Sequence, residues 1–252
     1  EAHVEIMLAL VEQFNSTNEY GITVEPIHQG SYNDIRDQMS AAIISGELPN
    51  LVAGYQGEAA SYFLDGAAVD LRPYINDPTY GLTEEQMADL NPALLAVNTF
   101  NDEPFNGAVL AWPHQNSAQV MVANMTMLQE LGFDAPPATF EEFQEIACAA
   151  SQLTGPNGED VQGFPIMADS SMFESFVAAQ GGTIYHDGAY DFTSEASLNT
   201  LRFLHDLYAE GCGYIPVDRF GNTADFALGL NPMSHTSTAG FTFIISDLTA
   251  SG

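Results

Sequence analysis

The stretch LQELGFDAPPATFEEFQEIA, at residues 128–147, decides the fold class. Gly132 is the residue type that most often ends a helix in the left-handed conformation, and the two prolines that follow cannot continue a helix. Thr139 and Glu142 form a T-x-x-E capping box, in which each side chain accepts a hydrogen bond from the other residue's backbone amide. The stretch therefore predicts the end of one helix, an extended linker and the start of a second helix.

Helices and strands alternate around this stretch, which predicts an α/β protein. On its N-terminal side we expect a helix at 2–15 and a strand at 22–26. A helix capped by Ser31 and a strand at 51–55 complete a β-α-β unit, which implies a parallel sheet. Further predicted elements are helices at 83–96, 140–153, 172–180 and 195–209, and strands at 108–113, 120–124, 163–167 and 183–185.

The amino-acid composition indicates a globular protein and argues against binding to nucleic acid. The 252 residues are 46% hydrophobic, which is normal for a globular protein, and no apolar run approaches the length of a membrane span. The net charge of -30 arises because 34 acidic residues face only four arginines and no lysine. Binding to nucleic acid needs clustered basic residues, so we expect no nucleic-acid partner and a monomeric protein. The acidity is expected to reflect adaptation to a host or compartment; recruitment of a basic partner is the alternative.

Two cysteines, Cys148 and Cys212, belong to no recognisable motif. They can form a disulfide only if the fold brings them together, which the sequence alone does not show. Two unpaired thiols are therefore the default prediction.

The two ends of the sequence indicate a fragment. The chain begins without Met or a signal peptide and in the middle of a helical pattern, and the last residues, LTASG, show no clear final element. Both ends are expected to be cuts in a longer protein.

Five segments, in the correct order, resemble the extracellular solute-binding proteins of the sugar and glycerol-3-phosphate type that serve ABC importers. Residues 22–52 contain a G-x-Y turn and a G-x-x-P-N pattern, and 112–124 contain WP, NS and a final Asn. The stretch at 128–147 is the most specific of the five. The remaining two are FVAAQGGTIYHDGAYDFTSEA at 176–196 and an F-x-x-G-x-x-x-M pattern at 226–233, followed by STAG.

The resemblance implies a two-lobed, type II periplasmic-binding-protein-like fold in which each lobe is a sheet flanked by helices. We expect an incomplete N-terminal lobe at 1–112, an incomplete C-terminal lobe at 113–252 and a hinge near 110–117. The family binds an extracellular carbohydrate or polyol in the cleft between lobes and delivers it to the membrane permease of an ABC transporter. The expected location is the periplasm or the cell exterior, with a lipoprotein anchor as one option.

Three alternatives remain open. The first is a ligand such as sn-glycerol 3-phosphate or a glycerophosphodiester, although a phosphate usually requires Arg or Lys and no arginine falls at a candidate position. The second, from a different class, is a secreted carbohydrate-active enzyme. The third is a receptor domain that signals rather than transports.

Ligand contacts are expected where loops at the carboxyl ends of strands converge on a cleft. A neutral polyol requires hydrogen-bonding side chains and an aromatic or apolar wall. Ordinary structural roles compete with binding: helix packing for Tyr32, hinge core for Trp112, loop turns for Asn116 and Ser117, and a helix cap for Ser170. The full set of candidates is Tyr32, Tyr55, Gln56, Trp112, Asn116, Ser117, Asp169, Ser170, Ser237 and Thr238.

Patterns typical of catalysis or metal binding are not found in the sequence. The six histidines are isolated, and neither H-E-x-x-H, G-x-S-x-G nor a phosphate-binding glycine loop occurs. The segment DGAYD at 187–191 suggests calcium but lacks the regular ligand spacing, so a hairpin turn is the better interpretation. We therefore expect no enzymatic activity, no metal and no cofactor.

Overall fold

The computed structural model describes residues 2–113, 115–155, 158–186, 189–218 and 221–251. The chain divides into two compact units, Glu1–His114 and Gln115–Gly252. The lobe bounds at 112/113 and the hinge near 110–117 stay predictions. Within the described ranges, none of the helices combines the length and apolar character needed to cross a membrane.

The first unit is mainly helical, and local capping explains where its helices begin. Ser31 precedes the second helix, where its hydroxyl accepts from the amide of Asp34 and the Asp34 carboxylate accepts from the amide of Ser31. This confirms the predicted cap, and Gly46 ends that helix with a φ of 76°. The elements are α1 (Ala2–Thr17), α2 (Tyr32–Ser45), α3 (Gln56–Leu64), α4 (Arg72–Ile75), α5 (Glu84–Asp89), α6 (Pro92–Ala96) and the antiparallel pair β1 (Thr99–Phe100) and β2 (Ala108–Val109).

The parallel sheet predicted for this unit is wrong for the residues described. The segments 22–26 and 51–55 form no regular secondary structure, and Leu51 is 86% exposed. A strand needs a neighbouring backbone, whereas the amide side chain of Asn15 bonds to both the N–H and the C=O of Val24 at 2.8 Å. The single helix predicted at 83–96 is two helices, because Pro92 begins α6 after an extended Leu90.

The second unit contains the expected alternation of helices and strands. β3 and β8 pair antiparallel, with Gln119 opposite Ser237, and β4 and β7 pair parallel. The elements are β3 (Gln119–Ala123), α7 (Met125–Glu130), α8 (Phe140–Ala150), β4 (Phe164–Pro165), α9 (Ser170–Ala179), β5 (Tyr185–His186), β6 (Ala189–Tyr190), α10 (Glu195–Ala209), β7 (Gly213–Tyr214), α11 (Gly221–Ala227), β8 (Met233–Ser237), a 3-10 turn at Thr238–Gly240 and α12 (Phe241–Ser251).

The stretch at 128–147 lies between α7 and α8 much as predicted. Gly132 has a φ of 90°, and the Thr139 hydroxyl accepts from the amide of Glu142 at 3.2 Å. The reciprocal half of the capping box is wrong, because the Glu142 carboxylate accepts from the amide of Ala138 instead. The helices bury their apolar faces in the core of the second unit, whose largest members are Leu128, Phe143, Ile146, Phe164, Met172, Phe176, Leu207 and Met233.

The default prediction of two unpaired thiols is wrong. Cys148, near the end of α8, and Cys212, just before β7, form a disulfide with Cα atoms 4.3 Å apart. Both elements pack beside the start of β4, where the amide of Phe164 donates to the carbonyl of Cys212 at 2.9 Å. The approach requires glycine at 163, because a Cβ there would collide with that same carbonyl.

Candidate ligand-binding site

Four candidates of the second unit meet at one end of the β3–β8 pair. The amide of Ala118 donates to the Thr238 hydroxyl at 3.2 Å, and the amide of Thr238 donates to the Ala118 carbonyl at 2.9 Å. Because the strands are antiparallel, the chain that enters β3 lies beside the chain that leaves β8. Asn116 and Ser117 are thereby brought close to Ser237 and Thr238. We call these four residues the polar edge.

The side chains of the polar edge keep hydrogen-bonding capacity for a ligand. The Ser237 hydroxyl accepts from the amide of Gly240 at 3.2 Å, and the side-chain oxygen Oδ1 of Asn116 accepts from the backbone amide of Ser117 at 3.0 Å. Each hydroxyl that accepts a backbone bond still has its own proton, and the Asn116 NH2 group is a double donor. Asn116, Ser117 and Thr238 are exposed, so these donors can reach a hydroxylated molecule.

Asp169 and Ser170 begin a helix that packs against β8. Asp169 follows β4 and caps α9, because its carboxylate accepts from the amide of Met172 at 2.8 Å, whereas Ser170 is the first residue of the helix. Capping of the helix was the alternative role predicted for Ser170, and Asp169 provides that cap instead. Helix α9 packs against β8, because the Ser175 hydroxyl lies 3.4 Å from Nε2 of His235, two residues before Ser237.

His235 is a residue that sequence reasoning missed. Its ring is buried between β8 and α9, with Nε2 3.4 Å from the Ser175 hydroxyl and the ring centroid 6.5 Å from that of Phe176. Burial lowers the pKa of His235, and the Asp169 carboxylate acts in the opposite direction. At neutral pH the ring is therefore uncharged. Its position two residues from Ser237 puts both on one face of the strand, a signal that the sequence already contained.

In the first unit the structure brings together Tyr32, Tyr55 and Gln56. The rings of Tyr32 and Tyr55 lie with centroids 4.5 Å apart at the starts of α2 and α3. Tyr55 is held at the N-cap position because its amide donates to the Glu58 carboxylate at 2.6 Å, and Gln56 is the first residue of α3. The pair offers a partly exposed aromatic wall beside two helix N-termini. Trp112 lies in the irregular chain after β2, with an exposed side chain.

The residues described offer one group that could ligate a metal, formed by Cys148, Glu210 and Cys212. The two sulfur atoms are joined in the disulfide, so they supply no thiolate for a metal. The calcium alternative at 187–191 lies partly outside the described residues, and the carboxylate of Asp191 accepts from the amide and hydroxyl of Thr193. Strands β5 and β6 precede and follow positions 187 and 188 in the sequence, and they pair antiparallel with each other, as a hairpin requires.

Comparison with known proteins identifies the family. A model described as bacterial extracellular solute-binding protein matches residues 9–247. The chain belongs to this family. The predicted resemblance is thereby confirmed, and a family of solute-binding proteins rather than enzymes fits the expectation that the chain has no catalytic role.

Individual members of the family and solved structures agree with this assignment. The chain is 25% identical over 221 residues to an uncharacterized lipoprotein in the oleD 5' region of Streptomyces antibioticus, covering 84% of this chain and 45% of that protein. UgpB from Mycobacterium tuberculosis in complex with glycerophosphocholine matches with a TM-score of 0.76 at 20% identity, covering 96% of this chain and 58% of that one. A solute-binding protein of an ABC transporter from Thermotoga lettingae TMO, bound with alpha-D-tagatose, gives a TM-score of 0.73 at 19% identity, covering 96% and 61%.

These likenesses confirm the α/β, type II periplasmic-binding-protein fold. The chain spans less than two thirds of the length of each of these three proteins. The roles of the ten candidate residues in binding stay predictions.

Proposed function

We propose that this chain is the ligand-binding part of a solute-binding protein that takes up a neutral carbohydrate or polyol and delivers it to the permease of an ABC transporter. The observation that carries the proposal is the polar edge. It gathers hydroxyl and amide groups at the carboxyl end of β8, where ligands bind in open α/β sheets. Uncharged donors and acceptors of this kind match the hydroxyl groups of a sugar.

The charges of the second unit favour a neutral ligand over a phosphate. Among the described residues of the second unit, the arginine is Arg202, which lies on α10 and donates to the side chain of Asn199 at 3.0 Å. A phosphate is most strongly bound by such cations. The net charge of -30 adds a repulsive field for any anion.

The proposed location is the periplasm or the cell exterior, with a lipid anchor as in the Streptomyces lipoprotein. The Cys148–Cys212 disulfide supports this, because disulfides persist mainly in oxidising compartments. The high negative charge supports a monomeric state through mutual repulsion of copies.

The test is a thermal-shift and calorimetry panel of sugars, polyols, sn-glycerol 3-phosphate and glycerophosphocholine. We expect saturable stabilisation by a neutral member. Asn116→Ala and Ser237→Ala should each weaken binding ~2–10-fold, the value of one net hydrogen bond. Thr249→Ala, which removes an exposed hydroxyl that donates to the carbonyl of Ile245 within α12, is the matched control and should leave affinity unchanged.

Two results would contradict the proposal. Binding of a glycerophosphodiester and of no sugar would assign the ligand to the phosphate-bearing class. Consumption of a glycan at a rate abolished by Asp169→Asn, which neutralises the exposed carboxylate at the start of α9, would instead show a carbohydrate-active enzyme.

A further inference from the structure

A disulfide and a carboxylate lie together where helices α8 and α10 end beside β7. The Cys148 sulfur lies 4.0 Å from Oε2 of Glu210, and the Cys212 sulfur lies 3.8 Å from the backbone carbonyl oxygen of the same glutamate. The two sulfur atoms and the carboxylate oxygen are all within 4.8 Å of one another. We call these three residues the thiol–carboxylate cluster. The binding role proposed above uses none of them.

The backbone holds the members of the cluster close together independently of the bond between the sulfur atoms. Glu210 and Cys212 are separated only by Gly211, whose φ of 73° turns the chain out of α10. The amide of Cys212 donates to the carbonyl of Leu207 at 2.8 Å, which fixes this turn to the helix. Cys148 lies in the last turn of α8, which packs in the core of the second unit. Reduction of the disulfide therefore leaves two thiols and a carboxylate beside one another.

The Glu210 carboxylate is held facing the sulfur atoms by a neighbouring side chain. The amide group of Gln144 donates to Oε2 of Glu210 at 2.8 Å. Gln144 precedes Cys148 by four residues on α8, so both side chains lie on the same face of that helix. Hydrogen bonds of this kind orient the carboxylate ligands of metal sites and raise the affinity for the metal.

Two thiolates and one carboxylate are ligands for a thiophilic divalent cation. Zn²⁺ is held tetrahedrally by Cys sulfur at about 2.3 Å and by carboxylate oxygen at about 2.0–2.2 Å, which places neighbouring ligand atoms about 3.6–3.8 Å apart. The 4.0 Å between the Cys148 sulfur and Oε2 of Glu210 is close to that spacing. Ca²⁺ and Mg²⁺ prefer oxygen ligands throughout, whereas sulfur selects softer ions such as Zn²⁺. Glu210 is exposed, so water can reach the fourth position.

We propose that the thiol–carboxylate cluster is a redox-gated site for Zn²⁺ or a similar thiophilic cation, which binds when the disulfide is reduced. A dithiol reductant supplies two electrons and two protons, its own sulfur atoms become joined, and Cys148 and Cys212 become thiols. The cation then displaces the two thiol protons, and the ionised Glu210 carboxylate is the third ligand. Oxidation by a disulfide compound removes two electrons from the sulfur atoms, re-forms the bond and releases the cation in its original oxidation state.

The charge of the chain and the proposed location both bear on when the site is open. The net charge of -30 produces a field that attracts cations. In an oxidising compartment the disulfide closes the site, so cation binding belongs to the chain before the bond forms, or to surroundings that contain thiol reductants. The proposed site is separate from ligand uptake and does not depend on it.

The test is a calorimetric titration of Zn²⁺ into oxidised protein and into protein reduced under argon with a trialkylphosphine, which is then removed by gel filtration. We expect one ion per reduced chain, with release of the thiol protons, and no comparable binding to the oxidised chain. Cd²⁺ in place of Zn²⁺ should give the ultraviolet absorption of metal–thiolate bonds. Glu210→Gln keeps an oxygen that can accept from Gln144 but loses the charge, and it should weaken binding by at least ~10-fold. Cys148→Ser with Cys212→Ser should abolish binding.

A second measurement follows the gating itself. Bound Zn²⁺ should slow re-formation of the disulfide by oxidised glutathione, because the metal holds the thiolates that must attack. Glu210→Gln should lose much of this protection at the same Zn²⁺ concentration.

Glu195→Gln is the matched control, because it removes one exposed carboxylate from the opposite end of α10 and changes the net charge equally. It should bind Zn²⁺ like the unmodified protein. If reduction unfolds the chain, Zn²⁺ should restore the circular dichroism of the folded protein, since a cation that binds only the native arrangement stabilises it. Absence of binding to the reduced protein, equal binding to the oxidised protein or the double serine variant, or an equal loss in the Glu195 variant would overturn the site and leave the proposed function standing.

Discussion

The two units of the chain differ in how far their apolar side chains are buried. In the second unit, Phe143, Phe164 and Phe176 come from a helix, a strand and another helix, and their ring centroids lie 4.7 to 6.0 Å apart. In the first unit, helix α1 presents Ile6, Leu10 and other apolar side chains to solvent along much of its length. The core of the second unit is therefore built by rings from distant segments, whereas α1 of the first unit leaves much of its apolar surface exposed.

This difference matters for function because a binding site needs rigid support. The polar edge of the second unit is fixed by the five-residue pairing of β3 with β8 and by β4, which packs on the same core. The Tyr32–Tyr55 pair of the first unit is held by two helix starts, without a sheet behind it among the described residues. We expect the second unit to keep its site geometry under stress that loosens the first.

The largest expected effect on stability comes from comparing a buried ring of the second unit with an exposed ring of the first. Phe164→Ala removes a fully buried ring and should lower the free energy of unfolding by about 3–5 kcal/mol. Phe14→Ala on α1 removes a ring that is already exposed and should cost less than about 1 kcal/mol. Urea unfolding curves of the two variants, followed by circular dichroism, measure both changes. Equal losses would show that α1 is packed in solution and that the contrast between the units is wrong.

Helix starts could be predicted in both units, because a cap is a local interaction. Ser31 and Thr139 both cap helices where the sequence places them, since each bonds to an amide three residues ahead. Strands were harder to predict in the first unit, where the strand predicted at 108–113 contains β2 but those predicted at 22–26 and 51–55 do not form. The segment 22–26 has the alternation of apolar and polar residues that a strand requires, but this pattern does not supply a neighbouring strand. In the structure, the backbone of Val24 bonds to the side chain of Asn15 instead.

Which of the candidate residues lie close together could be predicted only in part. The resemblance placed Asn116 and Ser117 at the crossover between lobes and Ser237 and Thr238 in the STAG segment. The antiparallel register of β3 and β8 then brings the two segments together. The disulfide was not predictable, because 64 positions separate Cys148 from Cys212 and only the packing of α8 beside β7 joins them. His235 was overlooked because an isolated histidine has no pattern, although its strand position is informative.

The second prediction tests how much the disulfide contributes to the stability of the second unit. Replacing both cysteines, as Cys148→Ala with Cys212→Ala, should lower stability by about 2–4 kcal/mol, since the unfolded chain loses a long closed loop. Urea unfolding of the double variant measures the change. Adding dithiothreitol to the unmodified protein should lower its stability by a similar amount and should not affect the variant. Identical curves for both proteins under oxidising conditions would mean that the bond is not formed.

The smallest expected effect concerns pH and again belongs to the second unit, where His235 is buried, whereas His28 of the first unit is exposed. The lowered pKa of His235 means that the unfolded chain binds a proton more readily than the folded one. Stability should therefore fall as the pH drops below about 6.5, the pKa of an unperturbed histidine, and this contribution should be absent at higher pH. Thermal melts between pH 7.5 and 5.5 avoid most carboxylate titration, which lies near pH 4.

The variant that isolates this effect is His235→Gln, which cannot acquire a charge and should show a shallower fall in melting temperature over the same range. His205→Gln, on the exposed face of α10 beside Asp206, is the matched control and should follow the unmodified protein. The Asp169 carboxylate opposes the burial, so Asp169→Asn should steepen the dependence by lowering the pKa of His235 further. If all four proteins lose stability in parallel on acidification, the ring of His235 is accessible to protons without cost and the second unit is less tightly packed around β8 than its geometry indicates.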